Sequence, residues 1–279
     1  MSTASLSFTQ LAPGLGVGAP TPQAWRPLAD YPLLIMVGVT GVGKSTTLEK
    51  LAQSHWVYTL LPNRRVLTDP LIIAYMQALD GQSVQPVTDR KLRFDYTRRY
   101  RERFPGGMSY ALTQLWIDPA QLGTNLLFDG LRGADEVTHA IQALPHARFV
   151  VLNAPDAVRV QRLLGRNDAF DQVSSTAVST ASRALADFTT LGLPAANALF
   201  KAEEQQQLLA LVQRGEVSAD DLRAKLQIVV EERRNYDPAA AIAVLQTQAP
   251  TRSLIIDTTR NTPDEVATQI LTFVESLPR

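Results

Sequence analysis

Cysteine is absent from the chain. That excludes thiol nucleophiles, iron–sulfur ligation and Cys-based zinc sites, and it gives no sign of a secreted disulfide scaffold. Histidine is scarce. His55, His139 and His146 are scattered, no H-E-x-x-H or other metal-ligand spacing joins them, and all three read as structural or surface residues. Lysine is scarce as well, with five residues against 22 arginines. Arginine forms planar bidentate pairs with phosphate and carboxylate. A GC-rich genome produces the same bias, and composition does not separate the two readings. Neither sign of charge is in excess: 27 basic residues face 27 acidic ones. A protein that coats nucleic acid carries a basic surplus, although a local basic patch stays open here. Long apolar runs are missing too. The longest, Leu33 to Val39, falls well short of the roughly 20 residues of a spanning helix, so no contact with a membrane is expected. The first thirty residues lack the basic start and apolar stretch of an export signal, which makes the cytoplasm the expected compartment.

What is present is a chain of 279 residues, 45% hydrophobic, enough for one large domain or two small ones without disulfides. Residues 1–30 hold Pro13, Gly14, Gly16, Gly18, Pro20, Pro22 and Pro27 and read as a flexible N-terminal arm. After them apolar strands alternate with helices. Strands are expected at 31–37, 55–61, 125–128, 148–152 and 253–256, with helices near 46–54, 155–164 and 263–277. The pattern describes an α/β chain with a five-stranded parallel sheet covered on both faces. Two connections, 62–123 and 167–236, are far longer than usual and read as helical insertions. Ser218 and Asp237-Pro238 are expected helix starts within and after the second.

The decisive motif is Gly38-Val39-Thr40-Gly41-Val42-Gly43-Lys44-Ser45, which matches G-x-x-x-x-G-K-[ST] between an apolar strand and a helix. Its glycines let consecutive N–H groups turn inward on phosphate oxygens, and the helix N-terminus adds positive potential. Gly38, Thr40, Gly41, Val42, Gly43, Lys44, Ser45 and Thr46 are the expected nucleotide-binding set. Lys44 would reach the β- and γ-phosphates, and Ser45 would ligate Mg²⁺. The chain has no N-K-x-D for guanine. Asp129, at the end of the Asn125–Phe128 strand, is followed by Gly130 and not by the water-polarising Glu of motor ATPases. This favours transfer to an acceptor over hydrolysis.

Asp129-Gly130-Leu131-Arg132-Gly133 resembles the D-G-x-P-R segment of nucleoside-monophosphate kinases, without the Pro and with the Arg one residue closer. The run Arg159-Val160-Gln161-Arg162-Leu163-Leu164-Gly165-Arg166 is similar to the R-L-x-x-R approach to their lid. Residues 232–238 and 253–266 look like their return from the lid and their last strand and helix. The resemblance implies a three-layer P-loop fold, ATP and Mg²⁺ as cofactors, Asp129 with Ser45 at the metal, and Arg132 on acceptor phosphate. It also implies Arg162 and Arg166, preferred to Arg159, as lid arginines on the transferred group, with Arg233, Arg234 and Arg183 as further candidates. The plain alternative for these arginines is a solvated helix face, and for Arg132 a helix start.

In that superfamily the acceptor binds between strands two and three. Here residues 89–104 carry seven basic and three acidic residues, with Leu92, Tyr96, Tyr100 and Phe104 recurring every fourth position. An anionic acceptor held by Arg64, Arg90, Arg93, Arg99 and Arg132 is one reading. An ordinary amphipathic helix with a solvated basic face is another, and a grip on a nucleic-acid strand is a third. Asp69 is placed to serve as a base if the acceptor is a hydroxyl. The reading is therefore a P-loop kinase, residues 31–279, that passes phosphate from ATP to a small anionic molecule, with a nucleotide preferred. A polynucleotide 5′-hydroxyl or sugar-nucleotide kinase, and a nucleotide-binding ATPase or regulatory module, stay open.

Overall fold

The computed structural model describes residues 7–165 and 187–276. Its centre is a five-stranded parallel sheet of β4 (Leu33–Val37), β5 (Thr59–Leu60), β7 (Leu126–Leu131), β8 (Ala147–Asn153) and β9 (Ser253–Asp257), in the order β5-β7-β4-β8-β9. β4 is buried along its whole length, which is why it is written Leu-Leu-Ile-Met-Val with no polar alternation. Its side chains still sort by the two-residue period of a strand. Leu33, Ile35 and Val37 enter one core, with Leu126, Phe128 and Phe149 from the neighbouring strands. Leu34 and Met36 enter the other, with Leu127, Val150 and Leu152.

The helices form the outer layers. α1 (Lys44–Ala52) and α12 (Pro263–Glu275) pack together over one face and place Leu51, Val266 and Ile270 in its core. α5 (Gly107–Leu112), α7 (Ala134–Ala143) and α11 (Pro238–Gln248) cover the other with Leu112, Val137, Ala140 and Leu245. This is the three-layer α/β P-loop fold expected from the alternation. The insertion between β8 and β9 builds a third core of its own. In it α8 (Asp156–Leu164), α9 (Ala202–Gln213) and α10 (Ala219–Asn235) bring together Val160, Leu163, Leu208, Leu226 and Val229. Ser218 caps α10 by accepting from the Asp221 N–H at 3.0 Å, and Asp237 caps α11 by accepting from Ala239 N–H at 2.9 Å, as their residue types suggest.

The N-terminal arm is a correction. Residues 9–27 form β1 (Thr9–Ala12), β2 (Leu15–Val17) and β3 (Arg26–Pro27), and these join β6 (Leu115–Ile117) in an antiparallel sheet ordered β1-β2-β6-β3. Leu15 and Leu28 are fully buried in the same core as the main sheet. Pro13 and Gly14, which read as breakers, make the β1–β2 turn. Gly14 has φ +73°, and a Cβ there would stand 2.8 Å from Leu122. The partner strand β6 lies some hundred residues downstream, inside 62–123.

Two smaller expectations also shift. The strand at 55–61 contracts to the edge strand β5. Trp56 and Tyr58 stack on each other with ring centroids 4.7 Å apart, and Val57 is exposed. The remaining helices of 62–123 are α2 (Arg64–Thr68), α3 (Ala74–Leu79), α4 (Arg90–Arg103) and α6 (Pro119–Leu122), and a π-turn over Asp69–Ile73 joins α2 to α3. On α4, Tyr96 and Tyr100 are buried as the four-residue period requires, but Leu92 is exposed. Among the described residues no helix is long and apolar enough to cross a membrane.

Candidate active site

The loop Gly38–Gly43 leaves β4 at the middle of the sheet and runs into α1. Its strand, β4, lies between β7 and β8, and the loop stands at the carboxyl end of the sheet, where α/β sheets bind ligands. Two glycines are demanded by their surroundings. A Cβ on Gly38 would meet the Leu152 carbonyl at 2.8 Å. A Cβ on Gly41, where φ is +86°, would meet the Arg159 backbone at 3.1 Å. Val42 turns its side chain into the core, leaving backbone to line the loop. Thr47 closes the first turn of α1 with a 3.0 Å bond from its hydroxyl to the Gly43 carbonyl. Ser45 is exposed at the helix start, and Thr46 is half-buried.

Lys44 folds back across the loop. Its Nζ donates to the Gly38 carbonyl at 2.8 Å and the Val39 carbonyl at 3.1 Å, and lies 3.8 Å from Asp129 Oδ1. Burial pulls the ammonium pKa below its ordinary value, with Asp129 opposing. Burial likewise raises Asp129, with Lys44 and Arg132 opposing. Asp129 Oδ1 is buried and accepts no hydrogen bond. A buried carboxylate oxygen in that condition suits a hard cation. Among the described residues no three histidine or acidic side chains gather at one point.

Around the loop stands a network of arginines and carboxylates that the motif did not announce. Glu232, on α10, reaches the P-loop itself. Its two carboxylate oxygens accept from the Thr40 N–H at 3.1 and 3.0 Å, and Oε1 accepts from the Thr40 hydroxyl at 2.6 Å. Arg132 pairs with Glu232 at 2.9 Å, and Arg159 pairs with its other oxygen. Arg159 is fully buried. It also donates to the Thr40 carbonyl at 2.8 Å and to Asp156 at 2.6 Å, and Asp156 in turn holds Arg233 at 2.7 Å. Arg162 donates to Thr258 Oγ1 and to the Thr258 carbonyl, each at 2.8 Å. Thr258 donates to the Val42 carbonyl at 2.9 Å, so Arg162 braces the loop from behind. The sequence preferred Arg162 to Arg159, whereas Arg159 has the closer hold on the loop. Arg166 and Arg183 lie outside the described residues.

Arg132 looks two ways. On its other side is a cavity of about 250 Å³, to which Arg64, Arg65, Arg101 and Arg132 contribute, with Ile72, Phe94, Met108 and Tyr236 as apolar and aromatic wall. Arg64 is fixed in place. It makes two bonds to Glu136, at 2.6 and 2.8 Å, one to the Gly130 carbonyl at 2.9 Å and one to the Tyr236 hydroxyl at 3.1 Å. Burial opposes its charge, but Glu136 outweighs it and leaves the guanidinium pKa above the ordinary value. Burial also opposes the charge of Glu136. Arg64, together with the N–H groups of Arg132 and Met108, still holds its carboxyl below the usual range. Tyr236 lies between Arg64 and Arg132, each guanidinium 5.7–5.8 Å from the ring centroid.

Several expected acceptor residues are elsewhere. Arg93 pairs with Asp69 at 2.5 Å, and Arg99 with Asp80 at 2.6 Å. None of these four lines the cavity. They tie the π-turn and the end of α3 to α4, because carboxylates one helix away are nearer partners than the cavity. Arg90 heads α4, and its side chain is not among those described. The residues missed are Glu232, Glu136, Tyr236, Arg65 and Arg101. Glu232 and Tyr236 had a sequence signal in the 232–238 segment, and Arg101 in the basic run 89–104.

No family model matches the chain, and no curated protein matches it. Solved structures give partial likenesses. A sugar kinase from Janibacter is 15% identical over 88% of this chain and 95% of that one, with a TM-score of 0.37. A shikimate kinase from Acinetobacter baumannii, in complex with shikimate, is 14% identical over 88% and 94%, also with a TM-score of 0.37. A sulfotransferase from Alicyclobacillus acidocaldarius is 11% identical over 88% and 81%, with a TM-score of 0.38.

Proposed function

We propose that the chain is a phosphotransferase: it binds ATP on residues 38–46 and passes the terminal phosphoryl group to a small anionic acceptor in the Arg64–Arg65–Arg101–Arg132 cavity. The observation that carries this is Arg132, which lines that cavity and at the same time reaches a carboxylate bonded to the P-loop. One guanidinium thus spans donor and acceptor sides, where charge spreads as a phosphoryl group moves. Mg²⁺ held by Ser45 and Asp129 would supply charge neutralisation on the phosphates. Lys44 positions the β- and γ-phosphates from inside the loop, and Arg159 and Arg162 fix the loop's shape. Catalysis is then mainly orientation and charge stabilisation.

The aromatic walls, Phe94 and Tyr236, together with several arginines, favour an acceptor with a planar ring and an anionic group, of which a nucleotide is the simplest. Asp69 is paired with Arg93 and stands off the cavity lining. This supports an acceptor oxygen that is already ionised and needs no general base. ADP release from Mg²⁺·ATP, measured with nucleoside monophosphates, nucleosides, sugar nucleotides and a 5′-hydroxyl oligonucleotide, tests the reading, with Lys44→Ala as blank. Stimulation by a monophosphate is expected. Slow release that no acceptor changes would favour a nucleotide-binding module.

A further inference from the structure

Glu232 is 7% exposed and engages the P-loop across 192 residues of sequence. Its carboxylate receives one backbone N–H of the loop, the Thr40 hydroxyl and two guanidinium groups. These are the donor types that phosphate oxygens recruit at such loops. Its position along the loop is informative. The Lys44 ammonium, which marks the β- and γ-phosphate end of the site, is folded onto the carbonyls of Gly38 and Val39, next to Thr40 in the chain. Glu232 therefore stands at the terminal-phosphate end.

A carboxylate and a phosphoryl group cannot share one N–H and two guanidiniums, because like charges at contact distance repel strongly. Resting on the reading of 38–46 as an ATP site, we propose that Glu232 is an internal competitor for the nucleotide's terminal phosphate. Binding of a nucleoside triphosphate displaces the carboxylate and transfers Arg132 and Arg159 to the γ-phosphoryl group. A diphosphate lacks that group and leaves Glu232 where it is.

The surroundings let the side chain leave without undocking the helix. Arg159 keeps Asp156 and the Thr40 carbonyl, so its charge stays compensated. Arg233, the next residue on α10, stays tied to Asp156 on α8. Arg132 is held on one face by Tyr236 and is free to follow the phosphate towards the acceptor cavity. The device releases Arg132 and one arm of Arg159 only when there is a phosphoryl group to transfer.

Calorimetric titration of the full chain with Mg²⁺·ADP and with Mg²⁺ and a non-hydrolysable ATP analogue tests this in wild type, Glu232→Gln and Lys44→Ala. Glu232→Gln is expected to bind the triphosphate about tenfold tighter while its ADP affinity stays within about twofold. Unchanged or weaker triphosphate binding by Glu232→Gln, with wild type binding normally, overturns the competition and leaves the ATP site intact. Wild type that binds nucleotide no better than Lys44→Ala overturns both. A second measurement needs no variant. The carboxyl-carbon NMR shift of Glu232 in wild type should move with the triphosphate and not with ADP, and no change with the triphosphate contradicts the proposal.

Discussion

Glu136 shows how much of the arginine-lined cavity depends on one buried carboxylate. It is 3% exposed. It holds Arg64 through two bonds and accepts from the N–H groups of Arg132 and Met108. Removing one member of a buried pair leaves the other uncompensated, at a cost of about 3–5 kcal/mol. Glu136→Gln should therefore lower the unfolding free energy by about that much in urea titrations at neutral pH. Because its folded pKa is depressed, the stability Glu136 lends is complete above the ordinary glutamate range and is lost as pH falls through the folded value. The gap between wild type and Glu136→Gln should narrow in acid. Arg101 poses a gentler test. It lines the cavity and donates to a neutral amide, Asn235 Oδ1, at 3.2 Å. Arg101→Ala should raise the acceptor KM about tenfold, as loss of one charge-assisted contact would, with ATP affinity unchanged. Lys44→Ala should cut turnover by at least about a hundredfold while thermal unfolding stays cooperative.

At the scale of elements, the P-loop was legible because its signal is local: a motif of eight consecutive residues, 38–45, with a buried strand before it and a helix after it. Its supports were not. Arg159 and Glu232 come from α8 and α10, and only the fold brings them to Thr40. The basic run on α4 was misread for a related reason. Charge on a helix says nothing about which carboxylate lies opposite, and Asp69 and Asp80 claim Arg93 and Arg99. The close approach of α8 to the loop yields a prediction of its own. At Gly41, φ is +86° and a Cβ would stand 3.1–3.2 Å from the Arg159 backbone. Gly41→Ala should cost about 1–3 kcal/mol and abolish nucleotide binding, measurable by thermal unfolding and calorimetry. Retained binding would mean the loop can move away from α8.

For the whole molecule, the alternation of apolar strands and helices was enough to place a parallel sheet with helices on both faces, since each strand's burial is written in its own composition. The N-terminal sheet escaped because its evidence is split between residues 9–27 and 115–117, and neither half looks like a strand alone. That sheet is part of the main core. Deleting residues 1–27 would expose apolar surface now covered by Leu15 and Val17, at roughly 1.5–3 kcal/mol for each large side chain. The truncated chain should unfold at a lower temperature or fail to fold, whereas a dispensable arm would leave the melting curve unchanged. One guanidinium, Arg132, reaches both the carboxylate on the P-loop and the arginine-lined cavity. Its proposed role in transfer is decided by following label from γ-labelled ATP to a panel of nucleoside monophosphates, with wild type and with Arg132→Ala. Labelled acceptor with wild type, reduced at least about a hundredfold by Arg132→Ala, is the predicted result. Label released only as inorganic phosphate, at equal rates in both proteins, would contradict it.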